Sequence, residues 1–120
     1  MAHAQQIEFC LSVKQRFPDY FRQRWVLDVG SLDINGNNQF LFEDCAYIGI
    51  DLLPGKNVDF CCKAHEFKLP DHSFDVIIST ECFEHDPYYA LTLQNMVRLL
   101  KPGDIASLQM LKALGGHLVA

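Results

Sequence analysis

The sequence predicts an α/β fold: a doubly wound, mostly parallel, Rossmann-like sheet with flanking helices. Three short apolar runs, residues 25–30, 47–51 and 74–79, are bounded by turn-forming residues, as buried strands are. Segments whose apolar residues recur at helical spacing lie before and after these runs. Short strands that alternate with helices form parallel sheets, and right-handed crossovers then give the doubly wound arrangement. At 120 residues the chain has the length of one domain.

Two helices are predicted most directly. Residues 7–21 place apolar side chains near helical spacing, and Pro18 should end this helix because proline disfavours helix at the preceding residue. Residues 88–100 carry one apolar face and stop at Lys101-Pro102-Gly103. Weaker patterns predict a short helix at 39–45, a third strand at 57–62, a helix at 105–114 and a last strand at 116–120.

Composition limits the classes of function. The net charge is −5, and no basic stripe of the kind that binds nucleic acid is visible. The five cysteines are odd in number and show no disulfide framework, which indicates free thiols in a reducing compartment. No signal peptide is recognisable, and no apolar stretch approaches the roughly 18 residues that span a bilayer. We therefore expect a cytoplasmic protein with no membrane partner.

The ends of the first two strands carry the functional signal. The first ends in Asp28-Val29-Gly30 and then breaks into small and polar residues, and the second ends in Asp51. Open α/β sheets bind ligands at the carboxyl ends of their strands. A nucleotide-binding unit needs an acid about 20 residues beyond its glycine turn, where it accepts hydrogen bonds from ribose hydroxyls. Asp51 stands at that spacing from Gly30.

With these residues in place, the chain resembles the class I S-adenosylmethionine-dependent methyltransferases. Four blocks occur in the family's order over residues 25–103: the first motif at 26–30, the second strand with its acid at 47–51, the approach to the fourth strand at 69–79, and the turn and loop around the next helix at 84–85 and 99–103. The resemblance implies a domain that binds S-adenosylmethionine and transfers its methyl group to an acceptor that the sequence does not identify.

The resemblance also implies a set of cofactor-binding residues. A carboxylate suits the ammonium of the methionine part, and a glycine lets the backbone approach the ligand closely. Asp51 would take the ribose hydroxyls, with Leu52 beside the adenine. The implied methionine side consists of Asp28, Gly30, Ser31, Thr80 and Glu81, and the implied adenosine side consists of Asp51, Leu52, Ala64 and His65.

The resemblance assigns no catalytic residue. A sulfonium is a good leaving group, so the protein's share is mainly positioning and desolvation. His85 follows a strand end where an acceptor could lie, which makes it the histidine to consider as a general base. We favour a structural interpretation of Glu84-His85, with Glu84 near the start of the next helix.

Two departures from the family pattern stand out. Residues 31–35 contain no glycine where family members commonly have several, and Asp104 follows Gly103 where the family has a further glycine. The family's final strand pair is expected to be missing, which would leave a sheet edge open. Either the chain pairs with another copy that closes this edge, or it is a truncated form with reduced competence. We expect an S-adenosylmethionine-dependent methyltransferase; the alternative is a truncated, non-catalytic module that binds the cofactor or oligomerises. The single domain would comprise a helical segment at 1–24, a cofactor-binding core at 25–103 and an atypical tail at 104–120.

Three other classes of site fit the residues less well. A nicotinamide-dependent oxidoreductase needs G-x-G-x-x-G, which residues 30–35 do not supply. A calcium loop starting at Asp33 lacks the required glycine, because Asn38 stands there. A zinc site drawn from Cys61, Cys62, His65, Cys82 and His85 lacks the paired C-x-x-C spacing. We expect no metal.

Overall fold

The computed structural model describes residues 4–33, 39–79 and 87–101, and the structural statements below concern these residues. The regular elements are helix α1 (Ala4–Arg16) and strand β1 (Trp25–Val29), then β2 (Ala46–Asp51), β3 (Phe60–Cys61), β4 (Val76–Ser79) and helix α2 (Tyr89–Leu99). The helix and strand expected at 105–114 and 116–120 lie outside the described residues, as does the turn that contains His85.

The four strands form one parallel sheet in the order β3-β2-β1-β4. In this register Leu27 lies between Ile48 and Ile77. The chain moves outward from β1 through β2 to β3 and then returns to the other side of β1 with β4. The strand order therefore reverses between β1 and β4, which is the point where doubly wound sheets bind their ligands. The predicted fold class is confirmed.

Helices cover both faces of the sheet because the side chains of β1 alternate between two cores. On one face Cys10 of α1 packs with Val26 and other buried apolar residues. On the opposite face Met96 and Leu99 of α2 pack with Leu27. Strands buried on both faces have nearly continuous apolar sequences, which explains why the runs at β1 and β4 were recognisable.

Several boundaries differ from the sequence-based expectation. The first helix begins at Ala4, before the expected start at residue 7, and it ends at Arg16, ahead of Pro18 as expected. Pro18–Phe21 forms a separate single turn, because a proline is well suited to the first turn of a new helix. The predicted strand at 57–62 shrinks to Phe60–Cys61. Asn57 has a φ of 70°, in the left-handed region that a strand cannot contain. The helix expected at 39–45 is one turn, Gln39–Leu41.

In the described ranges, neither α1 nor α2 combines the length with the apolar character that crossing a bilayer requires.

Candidate functional site

The turn after β1 depends on Gly30. Its φ of 79° lies in the left-handed region, which glycine adopts without the steric cost that other residues meet. The backbone N–H groups of Gly30 and Ser31 both donate to the carbonyl of Ile50, at 2.9 and 3.0 Å. The turn is thereby fixed against the carboxyl end of β2, and it brings the backbone of residues 30–32 beside Asp51.

Asp51 lies at the end of β2 and is half-buried. Its Oδ2 accepts a hydrogen bond from the backbone N–H of Leu32 at 3.0 Å, and its Oδ1 accepts one from Leu53 at 3.1 Å. A carboxylate offers about four lone-pair sites, so two backbone donors leave capacity for the two hydroxyls of a ribose. Leu52 is 66% exposed beside it and presents an apolar surface. An acceptor carboxylate beside an exposed apolar side chain fits the ribose and the adenine of an adenosine.

Asp28 lies deeper, with 2% of its surface exposed. It is opposite Gly49 in the register of β1 and β2, so it shares a sheet face with Tyr47. The hydroxyl of Tyr47 donates a hydrogen bond to Asp28 Oδ2. Burial, followed by the charge of Asp28, raises the pKa of the Cys10 thiol to about 12. The same two causes, together with that hydrogen bond, raise the pKa of Tyr47 far above its ordinary value.

A second set of polar contacts covers Gly49 on the same face. Ser31 Oγ donates to the carbonyl of Asn57 at 2.6 Å, and Asn57 Nδ2 donates back to the carbonyl of Ser31 at 3.1 Å. A Cβ at position 49 would lie under 3.0 Å from both partners, so the absence of a side chain there makes this approach possible. We call Asp28, Ser31, Tyr47 and Asn57 the polar network. Tyr47 and Asn57 were not among the residues predicted from the sequence, although a glycine inside an apolar strand signals a close approach of another segment.

The segment predicted to border the adenine is held by α2. Asn95 Nδ2 donates to the carbonyl of Ala64 at 2.8 Å and to that of Phe67 at 2.9 Å. The His65 ring stacks on Tyr88, with 4.2 Å between ring centroids and 28° between the planes. The side chain of Asn95 therefore fixes the backbone of the turn Ala64–Glu66, and Tyr88 fixes the ring of His65.

The predicted site residues fall into three groups by their position in the structure. Gly30, Ser31 and Asp51 come together at the carboxyl ends of β1 and β2, through hydrogen bonds to Ile50 and from Leu32. Asp28 lies on β1, where it is hydrogen-bonded to Tyr47 of β2. Ala64 and His65 belong to a separate turn, which Asn95 of α2 holds by a hydrogen bond. Leu52 is exposed at the end of β2. Thr80 and Glu81 lie outside the described residues. The assignment of these residues to a cofactor stays a prediction.

Within the residues that the structure describes, no three His, Cys, Asp or Glu side chains lie together as a group that could hold a metal ion. Asp33, the first position of the calcium loop considered above, forms an ion pair with Lys56 at 3.7 Å.

The buried thiol and phenol predict alkaline lability. The ordinary pKa of a cysteine is 9.0, and Cys10 keeps its proton to about 12 when folded. Between these values the unfolded chain binds fewer protons than the folded chain, so the free energy of unfolding falls as pH rises. We expect a loss of about 1 kcal/mol per pH unit over this window. Urea unfolding at pH 8 and at about 10.5 measures it.

Cys10→Ala is the control, because it removes one of the groups whose pKa the fold raises. Its stability should decline less steeply with pH than that of the unchanged chain. An equal decline in both proteins would show that Cys10 titrates normally in the folded state.

The sheet order and the acid-and-glycine turns define a Rossmann-like domain of the kind that binds nucleotide cofactors. Residues 27–108 match the sequence model of a family described as a methyltransferase domain. The matched residues make up more than half of the chain, and the chain belongs to this family. The resemblance drawn from the sequence is confirmed at the level of the family. A search of curated proteins gives no match.

Solved structures share the fold. The Burkholderia thailandensis 1,6-didemethyltoxoflavin-N1-methyltransferase, solved with 1,6-didemethyltoxoflavin and S-adenosylhomocysteine, superposes with a TM-score of 0.61 at 18% identity, over 78% of this chain and 46% of that one. A Haemonchus contortus phosphoethanolamine N-methyltransferase, solved with phosphomonomethylethanolamine and S-adenosylhomocysteine, gives 0.60 at 23% identity, over 80% and 26%. The cyclase SpnF gives 0.61 at 18% identity, over 86% and 44%. This chain spans less than half the length of each.

Proposed function

We propose that the chain binds S-adenosylmethionine and serves as the cofactor-binding part of a methyltransferase. The observation that carries this proposal is the Asp51 carboxylate at the carboxyl end of β2, oriented by two backbone amides beside the Gly30 turn. Membership of the methyltransferase domain family supports it. Two structures of the same fold, both solved with S-adenosylhomocysteine, also support it.

In the proposed complex the residues of this chain bind and orient the ligand. Asp51 accepts hydrogen bonds from the ribose hydroxyls while its two backbone donors prevent it from rotating. Leu52 supplies apolar surface to the adenine, and the Ala64–Glu66 turn borders the ring. The Asp28 carboxylate provides the negative charge that an ammonium requires.

The bound cofactor supplies a methyl group that is already activated by the sulfonium. The chain therefore needs no nucleophile of its own for the transfer, and its contribution is to place the methyl group in line with an acceptor atom. Thr80 and Glu81 belong to the proposed methionine side on the strength of the family resemblance.

Calorimetric titration of the whole chain with S-adenosylhomocysteine tests the proposal. We expect saturable binding of one ligand per chain with a dissociation constant in the micromolar range. That corresponds to a binding free energy of about −8 kcal/mol. NAD, titrated in parallel, should give no heat, because the turn after Gly30 lacks the pyrophosphate-binding glycines. A folded chain that gives no heat with S-adenosylhomocysteine would contradict the proposal.

The same samples separate the catalytic from the non-catalytic alternative. Binding followed by transfer of a labelled methyl group to acceptors in a metabolite extract supports an enzyme. Binding without transfer supports a cofactor-binding module. A large native mass by sedimentation, without binding, supports the oligomerising module instead.

We also propose that the chain works in the cytoplasm. The cysteines at 10, 45, 61 and 62 are all free thiols in the described structure, and free thiols persist in a reducing compartment. A homo-oligomer that closes a sheet edge remains a further proposal, and sedimentation measures it directly.

A further inference from the structure

Tyr47 is held in one orientation by its surroundings. It lies on β2, in the middle of the sheet, on the face that α1 covers. Its ring packs at a tilt against Phe42, with 5.7 Å between ring centroids. The ring therefore holds the hydroxyl in one place, where it donates a hydrogen bond to Asp28 Oδ2.

A residue bonded to the turn after β1 also lies near the hydroxyl. The side-chain amide of Asn57 lies beside the Tyr47 hydroxyl, where it opposes the rise in the pKa of the phenol, and its Nδ2 donates to the carbonyl of Ser31 at 3.1 Å. Asp28 and Ser31 are the two side chains on the methionine side that the structure describes. Tyr47 bonds to the first, and Asn57 bonds to the second.

A buried carboxylate depends on donors of this kind. A hydrogen bond to a charged group contributes more than one between neutral groups, and a buried charge that loses its donor rotates towards another or takes up a proton. Either change removes a fixed negative charge from the position where an ammonium would be met. The Tyr47 hydroxyl therefore contributes to both the orientation and the charge of Asp28.

We infer that Tyr47 is a positioning residue, which fixes the Asp28 carboxylate for the amino-acid end of the cofactor and makes the site selective for ligands that carry that end. The inference rests on the proposed function. It predicts an effect confined to one half of the ligand, because the contacts on the adenosine side come from Asp51 and from the turn held by α2.

Tyr47→Phe tests the inference, because it removes the hydroxyl and leaves the ring. Two probes are titrated: S-adenosylhomocysteine, and 5′-methylthioadenosine, which has the adenosine part without the amino acid. We expect binding of S-adenosylhomocysteine to weaken about tenfold and binding of 5′-methylthioadenosine to change less than about twofold. An equal loss for both ligands, or no loss for either, would overturn the inference.

Two further variants make the result specific. Tyr20→Phe removes a hydroxyl from a tyrosine that packs on the same apolar cluster away from the site, and it should alter neither affinity. Asp28→Asn should reproduce the selective loss, and adding Tyr47→Phe to it should weaken binding no further if Tyr47 acts only through Asp28. Additive losses would contradict that route.

Failure of the proposed function gives a different result from failure of this inference. If the unchanged chain binds neither probe, the proposed function is wrong and the inference falls with it. If the unchanged chain binds both and the Tyr47→Phe ratio of affinities is unaltered, only the inference is wrong. Urea unfolding of each variant confirms that the titrated protein is folded.

Discussion

Asp51→Ala should weaken binding of S-adenosylhomocysteine about tenfold or more, since losing a charge-assisted hydrogen bond costs roughly 1.5–3 kcal/mol. The carboxylate is half-buried and already oriented by the amides of Leu32 and Leu53, so a ribose meets it without a further cost of ordering. Calorimetric titration gives the dissociation constant directly. 5′-Methylthioadenosine should lose affinity by a similar factor, because it keeps the ribose.

Asp19→Ala is the matched control for charge. It removes one negative charge from an exposed acid that pairs with Arg22, in the turn that precedes β1 rather than at the carboxyl ends of the strands. Its affinity should equal that of the unchanged chain. Asp51→Asn should lie between the two, because the amide oxygen still accepts a hydrogen bond without the charge. Unaltered affinity in a folded Asp51→Ala variant would remove Asp51 from the site.

The sequence was most informative where burial is simplest. The strands β1 and β4 are buried on both faces, so their residues form apolar runs that stand out from the rest of the chain. The helix at Tyr89–Leu99 was clear because its apolar residues share one face and a proline follows it. These elements, with their order along the chain, are sufficient to predict a doubly wound sheet.

Prediction was less accurate where a turn or a side chain overrides local propensity. The third strand was predicted too long, because Asn57 has a left-handed φ. Asparagine occurs in many conformations, so its presence alone does not reveal that φ. Asp59 shortens it too, since its carboxylate accepts a hydrogen bond from the Gly49 backbone at 2.7 Å. A turn therefore occupies positions that the apolar pattern assigned to a strand.

The site was predicted as a set of strand ends and not as a network. Asp28, Gly30 and Asp51 were found because acids and glycines at such spacing have a known chemical use. Tyr47 and Asn57 were missed because their contacts join residues far apart in sequence, as between Ser31 and Asn57. Only the register of β1 against β2 places Gly49 beneath that pair and Asp28 beside the Tyr47 hydroxyl.

Gly49→Ala should destabilise the fold by about 3 kcal/mol or more, because it adds a methyl group to a well-packed position. The new Cβ would lie under 3.0 Å from the carbonyl oxygen of Asn57 and from the Oγ and Cβ of Ser31. Two of these contacts belong to the hydrogen-bonded pair that covers β2, so relief of the clash breaks that pair. Urea unfolding, followed by far-ultraviolet circular dichroism, measures the change.

Gly55→Ala provides the comparison, since the same methyl group there would meet the tip of the flexible Leu32 side chain. Gly55→Ala should lose clearly less stability than Gly49→Ala. Some loss is expected, because the positive φ of Gly55 disfavours a side chain there. Adding Ser31→Gly to Gly49→Ala should restore only part of the loss, because the carbonyl of Asn57 remains in place. If Gly49→Ala is as stable as the unchanged chain, the close approach of Ser31 and Asn57 to β2 is wrong.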